Sequence, residues 1–294
     1  MRKDRMDAAG AAGLIVFGVL LAFNQVVIKV TNEGFQPIFF AGVRSVGALV
    51  CVYLWLRWRG RSLEFPPDAT KGGILIGLCF TVEFVCLFLA LDYTTVSRSV
   101  VIFYSMPVWL ALAAHFLIPG ERLTWLKTAG LALAFLGVIV AIGVRDDGDT
   151  GTSLLGDFLA LGAALAWAGI ALCARATGLE KVSPEMQLIW QLGVSAPLLL
   201  LLSPLFGPYV RDLAPIHWAG LVFQVGVVAS GGFLFWLWLI SIYPAGAVAS
   251  FAFLTPVFGV IMGWALLGET LGPSIFAALF LVASGLILIN WRRS

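Results

Sequence analysis

The sequence predicts an all-α polytopic membrane protein, with ten transmembrane helices arranged as two inverted five-helix repeats around a central cavity. The first observation is composition: 61% of the 294 residues are hydrophobic and 12% are charged, which differs strongly from the averages of soluble domains. The second is length, because most of the chain falls into apolar stretches of about 20 residues, enough for a helix to cross a bilayer. The third is a similarity between the two halves of the chain.

Ten apolar stretches follow one another along the chain, with short polar breaks between them. The chain starts with the basic segment "MRKDRMDAAGAAG", but the stretch that follows is about 20 residues long and meets no clear cleavage site, so a retained membrane helix is predicted. Pro37 and Pro184 open the second and seventh stretches, as proline commonly does in the first turn of a helix. The predicted spans 1 to 10 cover residues 11–30, 37–56, 72–91, 96–118, 125–144, 154–176, 185–206, 217–240, 245–267 and 272–291.

The basic residues predict the orientation of these spans, since Lys and Arg are in excess on the cytoplasmic side of membrane proteins. We expect a multi-pass protein of the cell's inner (cytoplasmic) membrane with both termini in the cytoplasm. The opposite side then keeps only Lys29, Arg145 and Arg211, while Arg44 and Arg98 lie within spans or at their edges. The basic residues on the cytoplasmic side are Arg2, Lys3, Arg5, Arg57, Arg59, Arg61, Lys71, Arg122, Lys127, Arg175, Lys181, Arg292 and Arg293.

The second half of the chain repeats features of the first. The segment "MPVWLALAAHFLIPGERLT" corresponds to "TPVFGVIMGWALLGETLG", and "FGVLLAF" corresponds to "LGAALAW". We therefore predict residues 1–150 as the first five-helix repeat and residues 151–294 as the second. Because five is an odd number, the second repeat enters the membrane from the opposite side. This agrees with Glu121 lying in a basic loop and Glu269 lying in a loop without Lys or Arg.

Several classes of protein and of site find no support in the sequence. The net charge is +2 and the basic residues are spread among loops, so no nucleic-acid-binding surface is predicted. The four cysteines lie in apolar stretches without CxxC spacing or a neighbouring His. They are therefore predicted to be small core residues, and no metal or cofactor is predicted. An intramembrane enzyme is a remote alternative, because HExxH is absent and both "VASG" segments lack the first glycine of GxSG.

Four kinds of segment together resemble the drug/metabolite transporter superfamily, specifically its EamA-type ten-helix members. They are "FNQVVIK" at the end of span 1, "PIFFAGVRSVGALV" in span 2, "LDYTTVSRSVVIFYSMPVW" leading into span 4, and the paired turns "PGERL" and "LGETL". The resemblance covers the whole chain, and within the family the sequence looks most like the YddG-type amino-acid exporters. It implies a transporter, not an enzyme, whose two halves enclose a central cavity that opens alternately to each side.

Pro107 and Pro256 interrupt apolar runs at matching places in the two halves, "FYSMPVWL" and "FAFLTPVF". Proline removes a backbone donor and clashes with the carbonyl four residues earlier, so helix breaks are predicted near Phe103 and Ala252. A freed carbonyl needs protein or water as a partner in lipid, and paired breaks favour hinges beside a transport site at the midplane. The alternative is that both prolines only kink their helices for packing.

Arg44 and Glu83 are the clearest ionisable residues inside the predicted spans, where a charge costs at least about 2.5–3.5 kcal/mol. With a 1.5 Å rise per residue, they lie about 10 Å and about 12 Å from the outer ends of spans 2 and 3, hence at similar depth. Glu83 is predicted to bind a substrate ammonium or a carried proton, with Arg44 holding it or receiving a carboxylate. A structural Arg44–Glu83 ion pair, or an Arg44 that caps carbonyls, is the alternative. The resemblance implies a largely structural Arg44, since a helix-2 arginine is common in that family.

Aromatic side chains are predicted to line the same cavity, although packing or lipid contact is the alternative for any one ring. Phe80 lies three residues before Glu83 on one helical face, and Phe23 and Trp167 occupy equivalent places in the two repeats. Rings around a charge suit an amphipathic organic substrate, whereas a sugar nucleotide or phosphate would require several basic residues. The predicted substrate-binding residues are Glu83, Phe80, Tyr104, Trp167, Phe23, Asn24 and Arg44.

The sequence thus predicts a secondary transporter that exports small amphipathic metabolites, above all amino acids including aromatic ones, by alternating access. The alternatives are a multidrug or cation exporter and a nucleotide- or sugar-type metabolite transporter of the same superfamily. Its expected partners are a small-molecule substrate and the lipid bilayer. The pairs Gly73–Gly77 and Gly259–Gly263 follow the GxxxG pattern and indicate close helix packing. The sequence is compatible with a monomer and favours neither proton nor sodium coupling.

Overall fold

The computed structural model of the protein describes residues 7–118, 120–146, 152–243, 251 and 253–290. Among these residues, eight helical spans are long and apolar enough to cross a membrane, and two shorter apolar helices follow them toward the C-terminus. Within the described ranges, the only β-type pairing is an isolated bridge between Phe35 and Val210. The predicted class, an all-α polytopic membrane protein, is therefore confirmed.

The helices begin and end close to the predicted spans. Pro37 and Pro184 are the first residues of α2 and α8, and the side chains of Gln36 and Ser183 cap these two helices. Short 3-10 turns lie at Gly178–Lys181 and Ser203–Phe206. In chain order the helices are α1 (Ala8–Gly34), α2 (Pro37–Trp58), α3 (Pro67–Tyr93), α4 (Val96–Phe103), α5 (Met106–Leu117), α6 (Trp125–Gly143), α7 (Leu154–Ala176), α8 (Pro184–Leu202), α9 (Pro215–Val222), α10 (Phe233–Ile242), α11 (Leu254–Leu267) and α12 (Pro273–Asn290).

The predicted span 4 consists of two helices, α4 and α5. The first ends at Phe103 and the second begins at Met106, so that Pro107 is the second residue of α5. Within the break, both the amide and the hydroxyl of Ser105 donate to the carbonyl of Ile102, at 3.1 and 2.6 Å. The predicted break near Phe103 is therefore present, and the turn satisfies a carbonyl that the interrupted helix would leave without its usual partner.

The corresponding break in the second half is described only in part. Helix α11 begins at Leu254, which places Pro256 in its first turn, where a missing backbone donor breaks no hydrogen bond. The break predicted near Ala252 cannot be compared, because Ala252 and residues 244–250 lie outside the described residues. The same holds for the terminal basic residues Arg2, Lys3, Arg5, Arg292 and Arg293.

The predicted span 8 contains a long π-helical segment, Phe223–Gly232, between α9 and α10. Its sequence, "FQVGVVASGG", places a serine and three glycines within ten residues, and such residues hold an α-helix weakly. The hydroxyl of Ser230 donates to the carbonyl of Val225, five residues earlier, at 2.7 Å. π-Helical turns are rare and occur frequently at functional sites, so this segment is a landmark that the sequence analysis missed.

Glycines let several helices approach one another closely. A methyl group added at Gly285 of α12 would lie 2.5 Å from the carbonyl oxygen of Gly130 on α6. One added at Gly259 of α11 would lie 2.7 Å from the side chain of Val100 on α4, and one at Gly73 of α3 would lie 2.3 Å from the Trp190 ring on α8. The two GxxxG motifs therefore serve close packing between helices within one chain.

Replacing Gly285 by alanine should destabilise the protein by about 1–3 kcal/mol, because the added methyl group meets a backbone carbonyl that has no rotamer with which to move aside. Gly193→Ala in α8 is the matched control, since nothing lies within 4 Å of a methyl group there. That variant should gain up to about 1 kcal/mol in helix propensity. Thermal unfolding of the detergent-solubilised protein measures both effects. Equal melting temperatures for the two variants would contradict the close α6–α12 contact.

The two ends of the bundle are named after the acidic residue in one of their loops. The turns between α1 and α2, between α3 and α4 and between α11 and α12 meet at the Glu269 end. The loop between α5 and α6 lies at the opposite end, the Glu121 end, where Glu121 forms an ion pair with Arg175 near the end of α7. The repeat-related carboxylates thus lie at opposite ends, as the predicted inversion requires.

At the Glu269 end, Glu269 caps the first turn of α4. Its carboxylate accepts hydrogen bonds from the backbone amide of Val96 at 2.6 Å and from the amide and hydroxyl of Ser97 at 2.9 and 2.6 Å. The first amides of a helix lack intrahelical partners. They lie at the positive end of the helix dipole, which favours an anion. Gly263 on α11 permits this approach, since a methyl group there would lie 2.6 Å from the Ser97 hydroxyl.

Lys29 of α1 supports the neighbouring helix end. Its ammonium donates to the carbonyls of Leu91 and Thr94 at 2.9 and 2.8 Å, where α3 ends. A cation at the carbonyl end of α3 and an anion at the amide end of α4 both suit the dipoles of their helices. The α3–α4 turn is therefore held by α1 on one side and by the α11–α12 loop on the other.

A buried charge cluster lies at the same end. The side chains of Arg98 and Asp157 are both 0% exposed and their charged atoms are 3.1 Å apart. Asp157 also accepts from the hydroxyl of Thr94 at 2.8 Å and pairs with Arg145 at 2.7 Å. Because Arg98 also donates to the carbonyl of Ala141, the cluster joins α4, the end of α6 and the start of α7.

Candidate functional site

The two ionisable residues singled out within the spans lie close together but do not pair. Arg44 of α2 and Glu83 of α3 are buried, with 7% and 6% of their surface exposed, and each lies within electrostatic range of the other. In the described part of the chain, Arg44 makes one hydrogen bond, from Nε to Oε1 of Gln224 at 2.9 Å, and Glu83 makes neither a hydrogen bond nor an ion pair. The locking ion pair considered from the sequence is therefore not formed.

Aromatic rings cover one side of this charge pair. The Arg44 guanidinium lies over the ring of Phe84, 4.6 Å from its centroid, which is a cation–π contact. Phe84 in turn packs against Phe80 with 4.2 Å between the ring centroids. Phe80 is half-buried and contacts both of the large hydrophobic clusters of the core. Phe80 is thus linked to the Arg44 guanidinium through the ring of Phe84.

A second aromatic group lies at the break between α4 and α5. The Trp167 ring of α7 stacks on Phe103 at 4.8 Å and meets Tyr104 edge-on at 5.7 Å. Tyr104 is 6% exposed, and its hydroxyl lies beside the side chain of Gln25 and within electrostatic range of Glu83. The break therefore brings Tyr104 and Trp167 into one group, and Glu83 lies within electrostatic range of both Tyr104 and Arg44.

The remaining predicted residues come from α1 and meet the π-helical segment. Asn24 accepts a hydrogen bond through Oδ1 from Nε2 of Gln224 at 2.6 Å. Phe23 packs edge-on against Phe223, the first residue of the π-helical segment, at 5.5 Å. Sequence analysis did not single out Phe223, because the irregular helix hides which of its residues face the interior. The glycine-rich run after Phe223 was the one available signal.

Trp236 and the two histidines lie outside this group. Trp236 stacks on Phe17 at 5.1 Å in a separate apolar cluster. Both histidines accept hydrogen bonds from the backbone, His217 from the amide of Ala214 at 3.0 Å and His115 from the amide of Leu123 at 3.3 Å. The histidines therefore act as hydrogen-bond acceptors for backbone amides in loops and at helix ends.

The part of the chain that the structure describes contains no group of three or more His, Cys, Asp or Glu suited to a metal ion. The site offers a carboxylate and a guanidinium that do not pair with each other, with aromatic rings beside them. Buried charges without a partner are unfavourable unless a ligand or water meets them. Such a site fits a small molecule that carries an ammonium, a carboxylate or both, together with apolar surface.

Comparisons with known proteins agree with the fold. The model of the EamA-like transporter family matches the chain twice, over residues 8–143 and 154–291, which confirms the internal repeat. The uncharacterized transporter YoaV of Bacillus subtilis is 24% identical over 96% of this chain and 97% of its own. A probable amino-acid metabolite efflux pump of Escherichia coli is 25% identical over 100% of this chain and 98% of its own. A solved crystal structure, 18% identical, has a TM-score of 0.66 and covers 96% of each chain, and it supports the fold.

Proposed function

The chain belongs to the EamA-like transporter family, and we propose that it is a secondary transporter that exports small amphipathic metabolites, above all amino acids with aromatic side chains. It is a transporter and not an enzyme. In the proposed cycle, a central site opens alternately to the two sides of the membrane. Pro107 and Pro256 then act as the hinges of spans 4 and 9. The efflux of amino-acid metabolites is suggested for the Escherichia coli relative by its name and is proposed here for this chain.

The observation that carries the proposal is the charge pair enclosed by rings. Glu83 offers a carboxylate without a partner in the described structure, close to the rings of Phe80, Phe84 and Tyr104. An ammonium next to a carboxylate and aromatic faces is favoured by charge and by cation–π contact, and an aromatic substrate side chain gains area by packing on the same rings. A phosphate-bearing substrate fits poorly, since Arg44 is the one basic residue of the group.

The cell's inner membrane, with both termini in the cytoplasm, is the proposed location. The Glu121 end carries most of the basic residues, whereas at the Glu269 end Arg145 pairs with Asp157 and Arg211 pairs with Asp92 at 2.7 Å. Basic residues are thus concentrated at the Glu121 end, which the positive-inside rule assigns to the cytoplasm. The proposed direction of transport is from the Glu121 end to the Glu269 end.

Flux measurements on the purified protein in liposomes test the substrate class. We expect a radiolabelled aromatic amino acid to be transported, and we expect other amino acids to compete more strongly than nucleosides or quaternary amines do. Competition by quaternary amines alone would replace the amino-acid proposal by the cation exporter. The absence of any amino-acid flux and binding would contradict the proposed function itself.

Glu83→Gln should lower the apparent affinity for an amino acid about tenfold or more, because a neutral amide of the same shape loses the charge that meets the ammonium. Glu64→Gln, the same substitution at an exposed residue before α3, is the control and should transport like the unaltered protein. Initial rates at a series of substrate concentrations provide the comparison. If Glu83→Gln keeps the affinity of the unaltered protein, Glu83 does not bind the substrate.

A further inference from the structure

The π-helical segment places Gln224 at the centre of a hydrogen-bonded chain between three elements. The side chain is 0% exposed. Its Oε1 accepts from Nε of Arg44 at 2.9 Å, and its Nε2 donates to Asn24, to Oδ1 at 2.6 Å and to the backbone carbonyl at 3.3 Å. The close approach of Gly47 on α2 to Val225, where a methyl group would lie 2.8 Å away, brings Gln224 within reach of Arg44.

The orientation of the Gln224 amide follows from its partners. A backbone carbonyl can only accept, so the atom that faces the Asn24 carbonyl must be the donor Nε2. The opposite atom is then the acceptor Oε1, which faces a guanidinium that can only donate. Gln224 therefore holds Arg44 at Nε, the inner edge of the guanidinium, and it does so with a group whose direction is fixed by α1.

The outer edge of the Arg44 guanidinium has no protein partner in the described structure. Nη1 is buried and makes no hydrogen bond. The face of the guanidinium is covered by Phe84, and the nearby Glu83 does not pair with it. A buried charged donor without a partner is unfavourable, so this edge is suited to an acceptor group of a bound substrate.

We infer that Gln224 is a positioning residue for a carboxylate subsite, in which the free Nη edge of Arg44 receives the carboxylate of a zwitterionic substrate. This rests on the proposed function, and it deepens it: the ammonium goes to Glu83 and the carboxylate to Arg44, so both charges of an amino acid are required. An arginine presents two parallel N–H groups to a carboxylate, which gives geometric as well as electrostatic selectivity. Without Gln224, the guanidinium loses its fixed direction, and its Nη edge is no longer held toward the substrate carboxylate.

Gln224→Glu and Gln224→Met test this inference. The first places a carboxylate against Arg44 and occupies its charge, and the second keeps the volume of the side chain but removes the acceptor. In proteoliposomes, KM is measured for an aromatic amino acid, for its methyl ester and for the corresponding decarboxylated amine. We expect KM for the amino acid to rise about tenfold or more, with little change in kcat, and KM for the ester and the amine to stay within about twofold.

Gln187→Glu is the matched control, because Gln187 also donates to backbone carbonyls, those of Leu179 and Val182, but at the Glu121 end. Should neither Gln224 variant fold, Arg44→Lys carries the test, since it keeps the charge and loses the planar donor edge. An equal rise in KM for acid, ester and amine would indicate a structural role and overturn the inference, as would unchanged KM values. If the unaltered protein transports amino acids and their amines equally well, the subsite is wrong while the proposed function stands. If it transports no amino acid, both are wrong.

Discussion

Asp157→Ala should destabilise the protein by about 3–5 kcal/mol. The substitution removes the carboxylate that faces the guanidinium of Arg98 at a site where both side chains are 0% exposed. It also removes the acceptor for the Thr94 hydroxyl and the partner of Arg145. Breaking a buried pair by removing one partner is much more harmful than losing an exposed pair, because the remaining charge stays out of water.

Thermal unfolding in detergent measures this effect, with Asp212→Ala as the control at an exposed aspartate of the same end. The double variant Arg98→Met with Asp157→Ala should recover part of the loss, since it removes the stranded charge. If the single and double variants melt at the same temperature as the unaltered protein, the cluster does not hold α4, α6 and α7 together.

Glu269→Ala should loosen the Glu269 end, because the first turn of α4 loses the carboxylate that accepts from Val96 and Ser97. Hydrogen bonds to a charged group contribute about 1.5–3 kcal/mol each, and water replaces part of that loss when the end opens. A net change of about 2–3 kcal/mol raises the population of an opened Glu269 end about 30- to 150-fold.

Labelling of a single cysteine provides the measurement. In a protein whose four native cysteines are replaced, Val100→Cys places a thiol on the buried face of α4 that packs against Gly259. We expect a water-soluble maleimide to react faster with this thiol when Glu269 is alanine. Glu121→Ala, the repeat-related change at the other end, should leave the rate unchanged. Equal rates in all three proteins would show that the Glu269 cap does not restrain α4.

Most of the fold follows from the sequence because its signals are local. Prolines at the start of α2 and α8 set the ends of these helices, and Pro107 predicts the break after Phe103. The π-helical segment is different, since its apolar composition satisfies the same length and hydropathy rule as a regular helix. A change in backbone winding leaves little trace in composition, and "VGVVASGG" has the appearance of ordinary membrane-helix packing.

The site was predictable in its members but not in its pairings. Depth along spans 2 and 3 indicates that Arg44 and Glu83 lie together, since this depends only on the rise per residue. The hydrogen bond from Arg44 to Gln224 depends on how α2 packs against the π-helical segment, 180 residues later in the chain. That packing depends on the close contact between Gly47 and Val225. The predicted boundary between the repeats, after residue 150, stays a prediction, as do the roles of the binding residues.

The break between α4 and α5 forms a joint in the middle of span 4. On one side of the break, every residue of α4 is buried and its first turn is held by Glu269. On the other side, Val108 and Ala114 are the buried residues of α5, and the rest of that helix is at least partly exposed. Two residues, Tyr104 and Ser105, separate the tightly packed α4 from the less buried α5. Because the Ser105 hydroxyl donates to the Ile102 carbonyl at this joint, α5 can change its angle to α4 without exposing that carbonyl to lipid. A movement of α5 in one half of the membrane therefore need not move α4 in the other half.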